Sequence, residues 1–135
     1  MKLKSFDFLL YRQNRPVVIA EVKGRTFKGA SFEKLTGFEC WVLADDVEGL
    51  EQWQKVFGDG HEAFFVFAYC IENIDVDFDG RGAYELGHRR YIFLTVRLDD
   101  YRRFMKLRSP RWRTVTLAAD DFRRCAIEIE QLLLS

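Results

Sequence analysis

The chain has 135 residues, 48% of them hydrophobic and 16% aromatic, with two Pro and a formal net charge of zero. That length suits one domain burying a single core, and that composition excludes extensive disorder. No stretch approaches the roughly 18 apolar residues of a membrane span, and Asp7 follows the first residues too closely for a secretory signal, so a soluble cytoplasmic protein without a membrane partner is expected. The neutral total hides a segregation: residues 1–34 carry eight Lys and Arg against three acids, residues 35–86 two against twelve, and residues 97–124 nine against four. Two basic ends on one side of a fold would suit a polyanion, whereas solvated helix faces would account for the same counts. Cys40, Cys70 and Cys125 lack the paired spacing of a zinc site and read as reduced, small core residues.

In chain order, Ser5 to Arg12 alternates as a strand and ends at the polar turn Arg12-Gln13-Asn14-Arg15. Pro16 then opens a β-branched strand, Val17 to Val22. A three-residue loop between Arg12 and Pro16 sets a hairpin register that places Asp7 opposite Glu21. Gly24 to Gly37 has no clear period and reads as a loop. Asp45-Asp46 caps an amphipathic helix with Val47, Leu50, Trp53, Val56 and Phe57 on its apolar face, stopped by Gly58-Asp59-Gly60. Ala63 to Ile71 is apolar on both faces and reads as a central strand.

Asn73 to Gly82 is acidic and bears glycine, as a turn into the strand Tyr91 to Val96 would be. Its Asp75-x-Asp77-x-Asp79-Gly80 imitates a calcium loop, but the position that needs Glu is Leu86, so a plain acidic turn is the better reading. Asp99-Asp100 starts a short helix that Ser109-Pro110 ends, Arg113 to Leu117 reads as a short strand, and Asp120-Asp121 opens a last helix running to Leu133. The pattern predicts an α/β protein with a mixed β-sheet flanked by helices.

Asp7 and Glu21 interrupt apolar strands, where a charge is costly without a partner. Two opposed carboxylates stay ionised together only with a cation between them, and Mg²⁺ or Mn²⁺ is the hard cation their oxygens suit. Lys23, two residues after Glu21 and so on the same face, would orient a nucleophile or offset developing charge. Asp7, Glu21 and Lys23 are therefore the catalytic candidates, with Asp7 and Glu21 as metal ligands, for hydrolysis of a phosphodiester. A simple cross-strand charge pair is the alternative for Glu21 and Lys23. Lys4, Arg25 and Lys28 flank the proposed site as candidate phosphate contacts, Gln52 approaches it from the helix, and Arg108 and Arg111 flank Trp112's basic run as candidates for gripping nucleic acid.

Asp7, then Glu21-x-Lys23, then helix and buried strand, resembles the PD-(D/E)xK nuclease superfamily over roughly residues 5–71. LEQWQKVFGDGHEAFFVFAYCI resembles the equivalent part of archaeal Holliday-junction resolvases in particular. That resemblance implies a restriction-endonuclease-like fold, metal-dependent cleavage of DNA and a homodimer carrying two sites. KSFDFLLY, EVKGR, WQKVFG, FFVFAY, LDDYRRFM and SPRW together resemble, over nearly the whole chain, a bacterial family named for a HYExAFE motif in its N-terminal helix. These 135 residues do not contain that motif, and HEAF at His61 to Phe64 stands elsewhere. With the helix expected from a longer chain or a partner, the alternative function is a non-catalytic nucleic-acid-binding or assembly module that keeps the nuclease fold.

Overall fold

The computed structural model describes residues 5–27, 38–71 and 83–134. Its elements are β1 (Phe8–Leu10), β2 (Val17–Phe27), β3 (Val42–Leu43), α1 (Ala44–Phe57), β4 (His61–Ile71), β5 (Tyr84–Leu86), β6 (Arg89–Arg97), α2 (Leu98–Phe104), β7 (Lys106–Ser109), β8 (Thr114–Thr116), α3 (Ala119–Cys125), β9 (Ile127–Glu128) and α4 (Ile129–Leu134). The main sheet runs β1-β2-β4-β6-β5, with β9 also paired to β6. Among the described residues of this sheet, β2 and β4 are the one parallel pair, joined through α1, and the other pairs are antiparallel. The class is the expected one, α/β with a mixed sheet and flanking helices. Among the described residues no helix is long and apolar enough to cross a membrane.

The doubly apolar run Ala63 to Ile71 lies at the centre of that sheet because both its faces can be buried there. Phe65, Phe67 and Tyr69 meet Val47 and Leu50 of α1, Leu98 and Tyr101 of α2 and Phe122 of α3 on one face. Phe64 and Val66 meet Val18, Ala20 and Leu132 on the other. The β1–β2 hairpin has the predicted register, Phe8 with Ala20, Leu9 with Ile19 and Leu10 with Val18. Asn14 takes φ 55° in its turn, a left-handed conformation that Asn tolerates better than most residues.

Four expectations are corrected. The first strand is only Phe8–Leu10, so Asp7 lies just outside it and is exposed. Gly24 to Phe27 continues β2 where a loop was predicted, because β4 pairs with it as far as Phe27 and Ile71, and buried Phe27 stacks on Phe38 at 4.0 Å. The last helix is two helices. Ala126 turns extended at ψ 132°, which lets Ile127 reach β6, where fully buried Thr95 donates to the Ile127 carbonyl at 2.9 Å. The break carries the chain around the sheet, from Phe122 on one face to Leu132 on the other. Finally, β3, β8 and β7 form a second, three-stranded sheet of which only the middle strand was foreseen.

Arg12 closes the structure. Its side chain is 4% exposed, donates to the Pro16 carbonyl at 2.8 and 3.0 Å and to the Leu132 carbonyl at 3.3 Å, and pairs with Glu62 at 3.1 Å. Hairpin, central strand and C-terminal helix thus share one guanidinium. Arg12→Met keeps the packed stem and strands those acceptors, so it should lower stability by about 2–3 kcal/mol, read as a lower urea midpoint at an unchanged slope.

Candidate functional site

Alternation along β2 sets the site. Ile19 and Phe27 are buried against the helices, so Glu21, Lys23 and Arg25 between them share that face. The side chains of Glu21 and Lys23 are 14% and 18% exposed, and Lys23 Nζ stands 3.8 Å from Glu21 Oε1. The shorter bond goes elsewhere: Asp46 Oδ2 lies 2.7 Å from Lys23 Nζ, with its side chain 1% exposed. The same oxygen accepts the Leu43 N–H at 3.0 Å. Leu43 is the N-cap of α1 and has no side-chain acceptor of its own, so Asp46 supplies half of a capping box and anchors the helix to β2 in one stroke. Asp45 and Asp46, read from the sequence as an N-cap and first-turn acids, both lie in the first turn, and Leu43 takes the N-cap position.

Asp7 keeps contact with β2 beyond the end of β1. Its N–H donates to the Ala20 carbonyl at 3.1 Å, and its Oδ2 accepts the Val22 N–H at 2.7 Å. The register of the hairpin, extended by one residue, sets it opposite Glu21. Its carboxylate meets the edge of β2 and takes over the hydrogen bond that a longer β1 would have made. Asp7 and Glu21 offer the hard oxygens that Mg²⁺ or Mn²⁺ takes, a cation commonly held by one or two carboxylates with water and substrate completing the set. Among the described residues there is no group of three or more His, Cys, Asp or Glu able to hold a metal.

Arg25, farther along the same face of β2, is held at Trp41. It donates to the Trp41 carbonyl at 2.6 Å and the Gly24 carbonyl at 2.7 Å, and lies over the Trp41 ring at 4.1 Å. Burial pushes its guanidinium pKa down. The Arg108 guanidinium lies over the same ring at 4.8 Å, while exposed Arg111 lies over Trp112 at 5.1 Å. Beneath the Trp41 segment, the Tyr69 hydroxyl donates to the Glu39 carbonyl at 2.8 Å and the Tyr101 hydroxyl to the Cys40 carbonyl at 2.7 Å. Gln52 is half-buried farther along α1, and Trp53 packs against Phe6 as part of the core. Lys4 and Lys28, and the acidic turn at Asp75 to Asp79, lie outside the described residues.

Sequence reasoning missed two residues of this site. Asp46 carried a partial signal as a first-turn acid, which marked it for the helix start but not for Lys23. Trp41 carried none. Comparison of the chain with protein-family models, curated proteins and solved structures finds no match. The nuclease resemblance therefore rests on Asp7, Glu21, Lys23 and their setting.

A double-mutant cycle on Lys23→Met and Asp46→Asn should return a coupling of about 1–3 kcal/mol in urea unfolding, well above the few tenths of an exposed pair. Alkali should also act through the buried hydroxyls. Burial raises the Tyr69 and Tyr101 pKa values above 10.0, so unfolded tyrosines ionise near pH 10 while the folded ones hold their protons. Their contribution is complete below about pH 10 and falls as pH rises from there, by about 1.4 kcal/mol per pH unit for each tyrosine. Tyr101→Phe, less stable at neutral pH, should show the shallower alkaline decline in denaturation curves.

Proposed function

We propose that this chain is a metal-dependent nuclease of the restriction-endonuclease-like fold that hydrolyses phosphodiester bonds in DNA. The observation that carries this reading is Lys23 Nζ at 3.8 Å from Glu21 Oε1 on one partly exposed face of β2, with the Asp7 carboxylate on the intervening Val22 amide. The order of hairpin, α1 and a parallel β4 agrees with the order the resemblance implies. Asp7 and Glu21 would hold Mg²⁺ or Mn²⁺, which when bound supplies Lewis acidity and a more acidic water. Lys23 orients the attacking water or meets the charge that grows on the phosphate oxygens. Asp46 positions Lys23. Water oxygen bonds to phosphorus, the bond to the leaving oxygen breaks, and the water's proton ends on that oxygen.

A second reading is a non-catalytic binding or assembly module. It is favoured by the structural duties of two of these charges: Asp7 satisfies the Val22 amide, and Asp46 holds both Lys23 and the start of α1. The two separate in a plasmid-cleavage assay with Mg²⁺ or Mn²⁺. Under the first reading Glu21→Gln and Lys23→Met each lower the cleavage rate by at least about 100-fold, and calorimetry registers Mn²⁺ binding that Glu21→Gln removes. Cleavage that persists in both variants removes this site from the reaction.

A further inference from the structure

Residues 101–119 contain six Lys and Arg and no acid. Arg102 pairs with Glu51 at 3.4 Å and Arg113 with Asp45 at 3.2 Å. Among the described residues no carboxylate pairs with Lys106, Arg108 or Arg111. These three cations lie along the β7–β8 hairpin, whose turn carries Trp112 with 64% of its surface exposed. Trp41 and Trp53 are both less exposed than this.

The hairpin is fixed rather than loose. Trp112 donates its N–H to Ser109 Oγ at 3.3 Å, and Arg113, at φ 52°, donates to the Pro110 carbonyl at 3.4 Å. A bulge between Leu107 and Ser109 leaves Arg108 as the extra residue, which is how a strand re-aims one side chain. Arg108 is aimed at Trp41, the ring that Arg25 also covers. The hairpin is tied to the first turn of α1, since Ala44 donates to the Arg113 carbonyl at 2.8 Å, and two residues on Asp46 holds Lys23. Arg108 and Arg25 thus meet over Trp41, and Arg25 stands two residues from Lys23 on the same face of β2.

We propose that the β7–β8 hairpin is a docking surface for single-stranded nucleic acid, with Trp112 stacking on a base while Lys106, Arg108 and Arg111 meet phosphates. Stacking tolerates any base, because each has a π face, and cations spaced along a strand track its backbone. The inference rests on the preceding reading only in taking nucleic acid as partner, and not on cleavage. An anionic lipid surface is the competing partner for a basic hairpin with an exposed Trp, but the apolar area offered, Trp112 and 65%-exposed Leu107, is small for insertion.

The test uses the full chain and a fluorescein-labelled oligothymidylate in EDTA, followed by anisotropy at several salt concentrations. Trp112→Ala should weaken binding by about 5- to 150-fold, the worth of one stacked base, while Trp112→Phe recovers part of it. Arg108→Ala and Arg111→Ala should each flatten the logarithmic salt dependence by about 0.7. Trp112 and Arg111 are exposed, and far-UV circular dichroism verifies that the variants fold. Unchanged affinity in Trp112→Ala overturns the proposal, and so does binding to phosphatidylserine vesicles with none to the oligonucleotide. Loss of cleavage in Glu21→Gln and loss of oligonucleotide binding in Trp112→Ala are read in separate assays, so the failure of one reading is distinguished from the failure of the other.

Discussion

A carboxylate almost wholly removed from water needs charge and hydrogen bonds around it, and Asp46 meets that requirement with Lys23 Nζ at 2.7 Å and the Leu43 amide at 3.0 Å. Much else in the structure hangs on that one group. It fixes where α1 begins, and so which way the helix presents Val47 and Leu50 to the sheet. It holds Lys23 over the face of β2 that carries Glu21. Through the adjoining Asp45 and Ala44 it sets the starting point of the second sheet, because Arg113 and Thr114 attach to that same turn. The Asp45–Arg113 pair is exposed on both sides and contributes little energy; the buried pair governs the geometry.

The segment Glu39 to Trp41, which leads into β3, depends on side chains for its backbone partners. Peptide groups buried outside regular ladders must find such partners, and here Tyr69, Tyr101 and Arg25 each donate to one carbonyl in succession, at Glu39, Cys40 and Trp41. That network explains why two tyrosines lie in an otherwise apolar core. It also explains Arg25. A cation expected to reach for phosphate is drawn against Trp41, where its Nε is buried without a hydrogen-bond partner. What it supplies is a firm platform between the two sheets rather than a loose surface charge.

Elements whose partners are near in sequence, or whose both faces must be buried, could be read from residues alone. Pro16 and the polar turn before it set the hairpin register, and a run such as AFFVFAYCI fits only a central strand. Asp7 opposite Glu21 follows from that register. The exposure of Asp7 does not, because β1 begins one residue after it. The partner of Lys23 was hidden for a different reason: which of Asp45 and Asp46 turns inward depends on the rotation of α1, and the whole core sets that rotation. Likewise, an unbroken apolar stripe from Phe122 to Leu133 gives no hint of the break at Ala126, which is stabilised by Thr95 on a distant strand. Short strands such as β3 and β7 carry too few residues to show a period.

Structural duty at Asp7 and Asp46 does not exhaust the chemistry of this cluster. An ammonium has three donors and a carboxylate accepts at roughly four sites, so Lys23 can hold Asp46 and still face Glu21, and Asp7 can end the Val22 amide and still accept elsewhere. Arg25, though held at Trp41, also acts on Asp46 through its charge. Asp46 therefore draws on two cations from one strand, and Lys23 is not committed to it alone.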